Sequence, residues 1–284
     1  MSRLPVLHAP SGALLAHRQD PVARAVGRLR IDWRLVCAAL VFTVASAAVA
    51  QTQTLPADPG VVAVLLKWSP LILRAFVFNI AISFLAMAIG TVVGTLVGIG
   101  QISPNRAIAG TAYQFTHFFR NAPWLVLLFF CMFLIPFQFR TPFGVVPFPD
   151  WIKAVVGLSL PVMANVSEIV RGGILSIPKT QWEAAASLGF SRRQTLRSVI
   201  LPQCVKRMLP PWMNLYAILT MATTLASVVG VNEVLTTTKS ALNAESRPEL
   251  LVPFYAYVLL LFFIYCYPIS RWTAALERQF AVNE

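Results

Sequence analysis

Residues 75–100 read AFVFNIAISFLAMAIGTVVGTLVGIG and carry no charged side chain. A transmembrane helix needs about 20 consecutive, mostly apolar residues to cross a hydrocarbon core about 30 Å thick. This stretch is long enough to cross the bilayer and to tilt within it. It therefore predicts a membrane-spanning α-helix rather than a helix of a soluble core.

The sequence on both sides of this stretch is also poor in charge. Residues 59–149 contain no Asp or Glu, and only 12% of the 284 residues are charged, against about 25% in soluble domains. Hydrophobic residues make up 57% of the chain. These values exclude a disordered chain, collagen and a secreted disulfide scaffold, and they predict an integral membrane protein.

Charge-free windows predict an all-α membrane fold with about six transmembrane helices. The predicted spans cover residues 35–50, 75–100, 122–139, 154–167 with its continuation, 208–228 and 250–270. The fourth window is short and runs into Glu168 and Arg171. We therefore expect its end to lie near the membrane interface or inside the helix bundle.

The distribution of Lys and Arg predicts the orientation, because these residues are retained on the cytoplasmic side. With the N-terminus inside, the inner segments hold 15 positive charges and the outer loops hold 5, while three of the 23 lie at span edges. Both termini are therefore predicted to be cytoplasmic. The same bias accounts for the net charge of +12, so the basic composition requires no nucleic acid as a partner.

The predicted spans divide the chain into three parts. Residues 1–34 are a basic cytoplasmic tail, residues 35–70 an additional first span with a periplasmic loop, and residues 71–280 the transmembrane domain. Ala48-Val49-Ala50 has the small-x-small form of a signal-peptidase site, but the basic segment before it is far longer than that of an ordinary signal peptide. We expect an uncleaved anchor, and cleavage after Ala50 stays open as the alternative.

The second predicted span carries a small residue at every fourth position. These residues are Ala86, Gly90, Gly94 and Gly98. Such a stripe lies on one face of a helix and lets another backbone approach closely. It predicts tight helix packing, and a contact that slides during gating is the alternative.

Several polar residues lie within or beside the predicted spans. Those that could line a translocation path are Asn79, Asn165, Glu168, Thr223 and Thr224. Polar groups are costly in hydrocarbon, so these side chains are expected to face protein or water. Glu168 and Arg171 are three residues apart and can form an ion pair that fixes a helix end. A place on a solute path is the other interpretation of this pair.

The predicted cytoplasmic loop between the fourth and fifth spans contains two helix starts. Thr180-x-x-Glu183 and Ser191-x-x-Gln194 both have the capping-box pattern. Gly189 can end the first helix in the left-handed conformation, and Pro202 limits the second. The loop is predicted to form a bent pair of short helices that either packs in the fold or docks a cytoplasmic partner. A DNA-binding helix-turn-helix is disfavoured, because both ends are tethered to spans.

This segment and its surroundings resemble the membrane subunits of bacterial ABC importers for polar amino acids. Glu183-Ala184-Ala185, then Gly189, then Ile200-Leu201-Pro202, are similar to the EAA loop of that family. Residues 119–123, 168–174 and 225–231 are similar to other segments of these permeases. The similarity covers residues 71–280, in order and with family spacing.

The resemblance implies that residues 178–202, named here the coupling segment, seat in a groove of a separate ATPase subunit. The interface residues that it implies are Glu183, Ala184, Ala185, Gly189, Arg192 and Arg193. It further implies a second permease of the same or a homologous chain, a periplasmic solute-binding protein and a location in the bacterial inner membrane. The function implied is ATP-driven import of an amino acid or a similar polar solute.

The chain has no ATP-binding motif of its own. A phosphate-binding loop requires Gly-Lys-Ser/Thr, and none of the lysines follows a glycine. ATP and Mg²⁺ are therefore expected on the partner ATPase, with no cofactor, metal or catalytic residue in this chain. The rival hypothesis is a carrier driven by an ion gradient. Such carriers often have internal repeats and ionisable groups at the membrane midplane.

Overall fold

The computed structural model of the protein describes residues 60–141 and 144–280. The predicted tail at 1–34 and the first predicted span at 35–50 lie outside the described residues. The described helices are α1 (Val61–Gln101), α2 (Arg106–Asn121), α3 (Trp124–Leu134), α4 (Asp150–Leu175), α5 (Lys179–Ser187), α6 (Arg192–Gln194), α7 (Leu201–Ala222), α8 (Val234–Glu245) and α9 (Leu251–Phe280). Three of them, α1, α4 and α9 with the turn before it, are long and apolar enough to cross a membrane.

Helix α4 lies at the centre of the fold, and α1 packs along it through the glycine stripe. A Cβ built on Gly94 would lie 2.6 Å from the Met163 carbonyl oxygen, and one on Gly98 would lie 2.7 Å from that of Ser167. Gly90 lies against Val162, and Ala86 is fully buried. The glycines thus bring the two helix backbones closer than any larger residue allows.

The third predicted span, residues 122–139, contains only the short helix α3, and the chain bends sharply just before it. Helices α2 and α3 meet at an angle of 103° and count as a fourth span only if taken together. Ala122 between them has ψ 136°, because the following Pro123 disfavours the helical conformation of the residue before it. The 11 residues of α3 extend about 16 Å, which is too short to cross the bilayer alone. The continuous helix predicted for residues 122–139 is therefore wrong.

A short antiparallel hairpin interrupts the predicted all-α fold. Strands β1 (Gln138–Thr141) and β2 (Gly144–Pro147) pair so that Phe139 lies opposite Val146. The hairpin leads into α4, where Lys153 is fully buried. The Lys153 ammonium lies 3.2 Å from an Asp150 carboxylate oxygen and 3.3 Å from the centre of the Phe137 ring. This cation is thus held between an anion and an aromatic face.

The second half of the fold is built around α7. Helix α6, a π-helical turn (Thr195–Ile200) and α7 follow one another without a break, and a 3-10 turn (Thr223–Ser227) ends the run. The second short helix was predicted to end at Pro202, and this prediction is wrong. Pro202 lies in the first turn of α7, where the missing N–H of proline removes little helical hydrogen bonding. A second 3-10 turn (Pro248–Leu250) joins α8 to α9, which pack with the first half of α1 as a second apolar core.

Candidate functional site

The coupling segment is bent at Gly189, as predicted. Its φ is +78°, in the left-handed region that glycine adopts readily. The Gly189 N–H donates to the Ala186 carbonyl at 2.9 Å, and the Phe190 N–H donates to the Ala185 carbonyl at 3.1 Å. These two bonds form a Schellman motif, which satisfies the last carbonyls of α5 and turns the chain toward α6.

The two predicted helix starts have different outcomes. Ser191 and Gln194 form the predicted capping box at the start of α6. The box predicted for Thr180 and Glu183 is wrong, because α5 already begins at Lys179 and no side chain caps it. Pro178 precedes the helix with an extended backbone, so Thr180 lies inside the first turn and cannot act as a cap.

The surface of the coupling segment contains five of the six residues implied as interface positions. Glu183, Ala184, Gly189, Arg192 and Arg193 are exposed. The sixth, Ala185, is only 3% exposed and supports the segment from within, so it does not form the surface. Leu188 and Phe190 flank Gly189 and expose 76% and 41% of their surface, although neither was among the predicted interface residues. Apolar side chains beside a bend are accessible to a partner.

Hydrogen bonds from two arginines connect the coupling segment and α7 to the ends of α1 and α4. Arg192 Nη2 donates to the Ile102 carbonyl at 3.2 Å, just beyond the end of α1. Arg207 Nη1 donates to the Ser176 carbonyl at 2.7 Å, which joins the start of α7 to the end of α4. The predicted surface role of Arg192 thus comes with an internal hydrogen bond.

A polar cavity of about 590 Å³ opens between α2, α4 and α7 next to these ties. It is lined by Arg120, Asn165, Glu168, Ile169, Arg171, Gly172, Gly173, Ser176, Arg207, Pro211, Asn214, Leu215 and Ile218. Asn165 and Glu168 were predicted path residues. Arg120 and Arg207 were not among the predicted path residues, and only the packing of three helices brings them to one cavity.

The charges in the cavity centre on Glu168. Arg171 donates to both carboxylate oxygens, at 3.1 and 2.9 Å, and this is the predicted ion pair. Arg120 of α2 lies 3.5 Å from the same carboxylate. With Arg207 at the wall, three guanidinium groups line the cavity with one carboxylate, so its charge favours an anionic group of a bound solute.

The other predicted path residues lie away from this cavity. Asn79 Nδ2 donates to Thr223 Oγ1 at 3.0 Å and to Glu233 Oε2 at 2.9 Å, and the Val234 N–H donates to Asn79 Oδ1. Asn79 and Thr223 are fully buried in this network. Thr224 is half-buried, and its hydroxyl donates to the Met221 carbonyl. None of these three residues lines the cavity in this structure.

Glu233 was not among the predicted site residues, although it organises the junction of α1 and α8. Its side chain is fully buried, and it caps α8 by accepting from the Leu235 and Thr236 N–H groups at 2.8 and 2.9 Å. A signal was present in the sequence, since an acid stands just before a run of threonines that continues as a helix. Its partner Asn79 is 154 residues away and could not be predicted.

Burial raises the pKa of Glu233 above its ordinary value of 4.5, although the Asn79 amide and the N–H groups of α8 oppose that shift. The folded state therefore binds more protons than the unfolded state between pH 4.5 and the raised pKa. We expect this residue's contribution to stability to fall as pH rises through that window and to level off above it.

The check is the melting temperature of the purified wild type and Glu233→Gln between pH 4.5 and 8. The variant should lose this component of the pH slope, because an amide does not titrate. The pH dependence of the melting temperature is compared, and not its absolute value. Glutamine also places an N–H donor toward the Asn79 Nδ2 donor, which affects stability at every pH. Identical slopes for the two proteins would contradict the prediction.

The comparisons with known proteins identify the family. The family of binding-protein-dependent transport system inner membrane components matches this chain over residues 90–281. The chain belongs to this family. This permease is 36% identical over 166 residues to the probable amino-acid ABC transporter permease protein YckA of Bacillus subtilis, covering 58% of this chain and 71% of the relative. It is 31% identical over 210 residues to the L-cystine transport system permease protein TcyB of the same species, covering 74% and 86%.

Solved structures share the fold of this permease. A crystal structure of an amino acid ABC transporter with histidines matches with a TM-score of 0.64 and 24% identity, covering 76% of this chain and 97% of the other. A chain of the inward-facing MetNI methionine ABC transporter matches with a TM-score of 0.54 and 17% identity, covering 72% and 95%. Family and helices together make this protein a multi-pass inner-membrane permease.

Proposed function

We propose that this permease imports an amino acid and that the cavity around Glu168 is the cytoplasmic part of its path. The relatives named above include an L-cystine permease and a probable amino-acid permease, which supports the substrate class. An amino acid carries a carboxylate and an ammonium group. The arginines of the cavity suit the first of these, and Glu168 with the Asn165 and Asn214 amides suits the second.

The observation that carries the proposal is the direct connection between this cavity and the coupling segment. Ser176 lines the cavity and lies three residues before α5 begins. Arg207, which also lines the cavity, donates to the Ser176 carbonyl. A displacement of the coupling segment would therefore reach the cavity wall by two routes. The first is the backbone between Ser176 and α5, and the second is the hydrogen bond from Arg207 to Ser176. Such linkage suits a rigid-body change between two states.

The ATPase subunit is proposed to bind the exposed surface around the bend. Leu188 and Phe190 would enter an apolar groove, and Arg193 would meet an acidic rim, while Glu183 is free of a capping role. ATP and Mg²⁺ would be bound by that subunit. A periplasmic binding protein would deliver the solute on the opposite side, with both termini of this chain in the cytoplasm and a second permease completing the path.

The decisive experiment is uptake of radiolabelled amino acids into proteoliposomes. The wild-type permease reconstituted with its ATPase should take up solute only when ATP and the binding protein are present, and an ionophore should have no effect. The permease alone should not transport. Uptake by this chain alone, driven by an ion gradient, would establish the rival carrier instead.

Glu168→Gln should reduce ATP-driven uptake by roughly tenfold or more, because it removes the carboxylate that compensates Arg171 and Arg120. Arg171 donates two hydrogen bonds to this carboxylate, and a hydrogen bond to a charged group contributes about 1.5–3 kcal/mol, while Arg120 lies 3.5 Å away. Glu277→Gln, in the exposed last turn of α9, is the matched control and should transport normally. Binding of the ATPase subunit to both variants should be unchanged. Normal uptake by Glu168→Gln would place the path elsewhere.

A further inference from the structure

A second cavity, named here the apolar groove, lies between α1, α7 and α9 and has a volume of about 800 Å³. Its wall is almost entirely aromatic and aliphatic. Representative lining residues are Phe84, Met87, Trp212, Tyr265, Ile269 and Trp272. The groove has no part in the path proposed above, so a different occupant has to account for its shape.

The groove and the polar cavity lie on opposite faces of α7. Asn214 and Ile218 line the cavity, whereas Trp212 and Tyr216 line the groove. Residues 212 and 214 are two positions apart, which places them about 200° apart around a helix. If two permeases enclose the path, as the proposed function has it, the groove faces outward to the bilayer. This direction is the one step that rests on the proposed function.

The polar atoms of the groove wall already have partners within the protein. Trp212 Nε1 donates to Thr91 Oγ1 at 2.8 Å, and the hydroxyls of Tyr216 and Tyr265 lie 2.8 Å apart. A polar ligand would have to compete with these bonds. A hydrocarbon chain would not, because it needs only apolar surface.

The rims of the groove continue into the lipid-facing surface. Phe84 of α1 and Trp272 of α9 are each 66% exposed, and Ile264 of α9 is 60% exposed. Arg271 is exposed and lies seven residues after Ile264, so it lies on nearly the same face of α9 at the predicted cytoplasmic end. A tryptophan beside an arginine at that level is typical of a membrane interface, where a cation can meet a lipid phosphate.

We propose that the apolar groove binds one acyl chain of an anionic phospholipid from the inner leaflet and that Arg271 contacts its phosphate. The aromatic wall of α7 and α9 holds the chain, and the cation selects the headgroup charge. Because α7 also forms a wall of the polar cavity, the lipid occupies the outer side of a helix whose inner side faces the solute.

The test is native mass spectrometry of the purified full-length permease after exposure to equal amounts of phosphatidylglycerol and phosphatidylcholine, followed by a delipidating wash. The wild type should retain phosphatidylglycerol in a ratio of about one per chain. Ala88→Phe fills the groove and should lose most of this adduct. Leu96→Phe, on an exposed part of α1 outside the groove, is the matched control and should retain it.

Arg271→Gln should keep a lipid adduct but lose the preference for phosphatidylglycerol by at least fivefold. Arg278→Gln, near the exposed end of the same helix, should keep the preference. Equal retention by Ala88→Phe and Leu96→Phe would overturn the proposal. So would a photocrosslinker at Ile264 that joins a second copy, or residues 1–59 of this chain, instead of lipid. None of these measurements requires transport, so a failed uptake assay leaves the lipid test interpretable.

Discussion

Gly189→Val should abolish the stimulation of ATP hydrolysis by solute and binding protein, while the permease still inserts and purifies normally. The left-handed backbone at this bend costs an ordinary residue about 1–2 kcal/mol, and a β-branched residue more. Nothing lies within 4 Å of a Cβ built on Gly189, so the defect comes from backbone strain and not from a clash. A shift of that size reduces the bent population about tenfold or more.

A graded series separates the bend from other effects at this position. Gly189→Asn should retain most of the activity, because asparagine visits the left-handed conformation, and Gly189→Ala should be intermediate. Gly230→Val is the matched control: φ is +90° there, and the surrounding space is also open. It carries the same strain outside the coupling segment. Affinity for the ATPase subunit should therefore fall in Gly189→Val and stay normal in Gly230→Val. Equal affinities in both variants would count against the docking role.

Gly94→Ala should destabilise the protein, because Gly94 lies where α1 comes closest to the backbone of α4. The new Cβ would lie 2.6 Å from the Met163 carbonyl oxygen and 2.8 Å from the Val166 Cβ, so α1 and α4 must separate. Overpacking of this kind costs about 1–3 kcal/mol and occasionally more. Gly98→Ala meets the Ser167 carbonyl oxygen at 2.7 Å and should behave in the same way.

Gly100→Ala is the matched control on the same helix. A Cβ there would meet Ala112 Cβ at 3.4 Å, an ordinary contact, and alanine is the better helix former. The measurement is the temperature at which the monodisperse peak in size-exclusion chromatography is lost in detergent. We expect a lower value for Gly94→Ala and an unchanged or slightly higher one for Gly100→Ala. If both variants melt alike, the close approach of α1 and α4 does not limit stability.

The two strongest mechanical predictions arise from features that local sequence could reveal. The four-residue spacing of small residues indicated a packing stripe, because the helical repeat alone puts those positions on one face. The bend at Gly189 followed from capping chemistry within a few residues. Local reasoning failed at two helix boundaries. Helix α5 begins at Lys179, before Thr180, and the helical run continues past Pro202 into α7. Each boundary lies beside a proline, and whether a proline begins or ends a helix depends on its surroundings.

The sequence by itself determined that this is a membrane protein with a bent coupling segment, and its motifs placed it in a family before any contact was known. Only the tertiary structure decided which polar residues of different helices meet. Arg120 of α2 lies beside Glu168 of α4, and Asn79 hydrogen-bonds to Glu233, which is 154 residues away in sequence. The physical reason is that turns and helical faces depend on neighbours a few residues away. Polar side chains in a membrane bundle pair according to the rotation and crossing of whole helices, which local patterns do not contain.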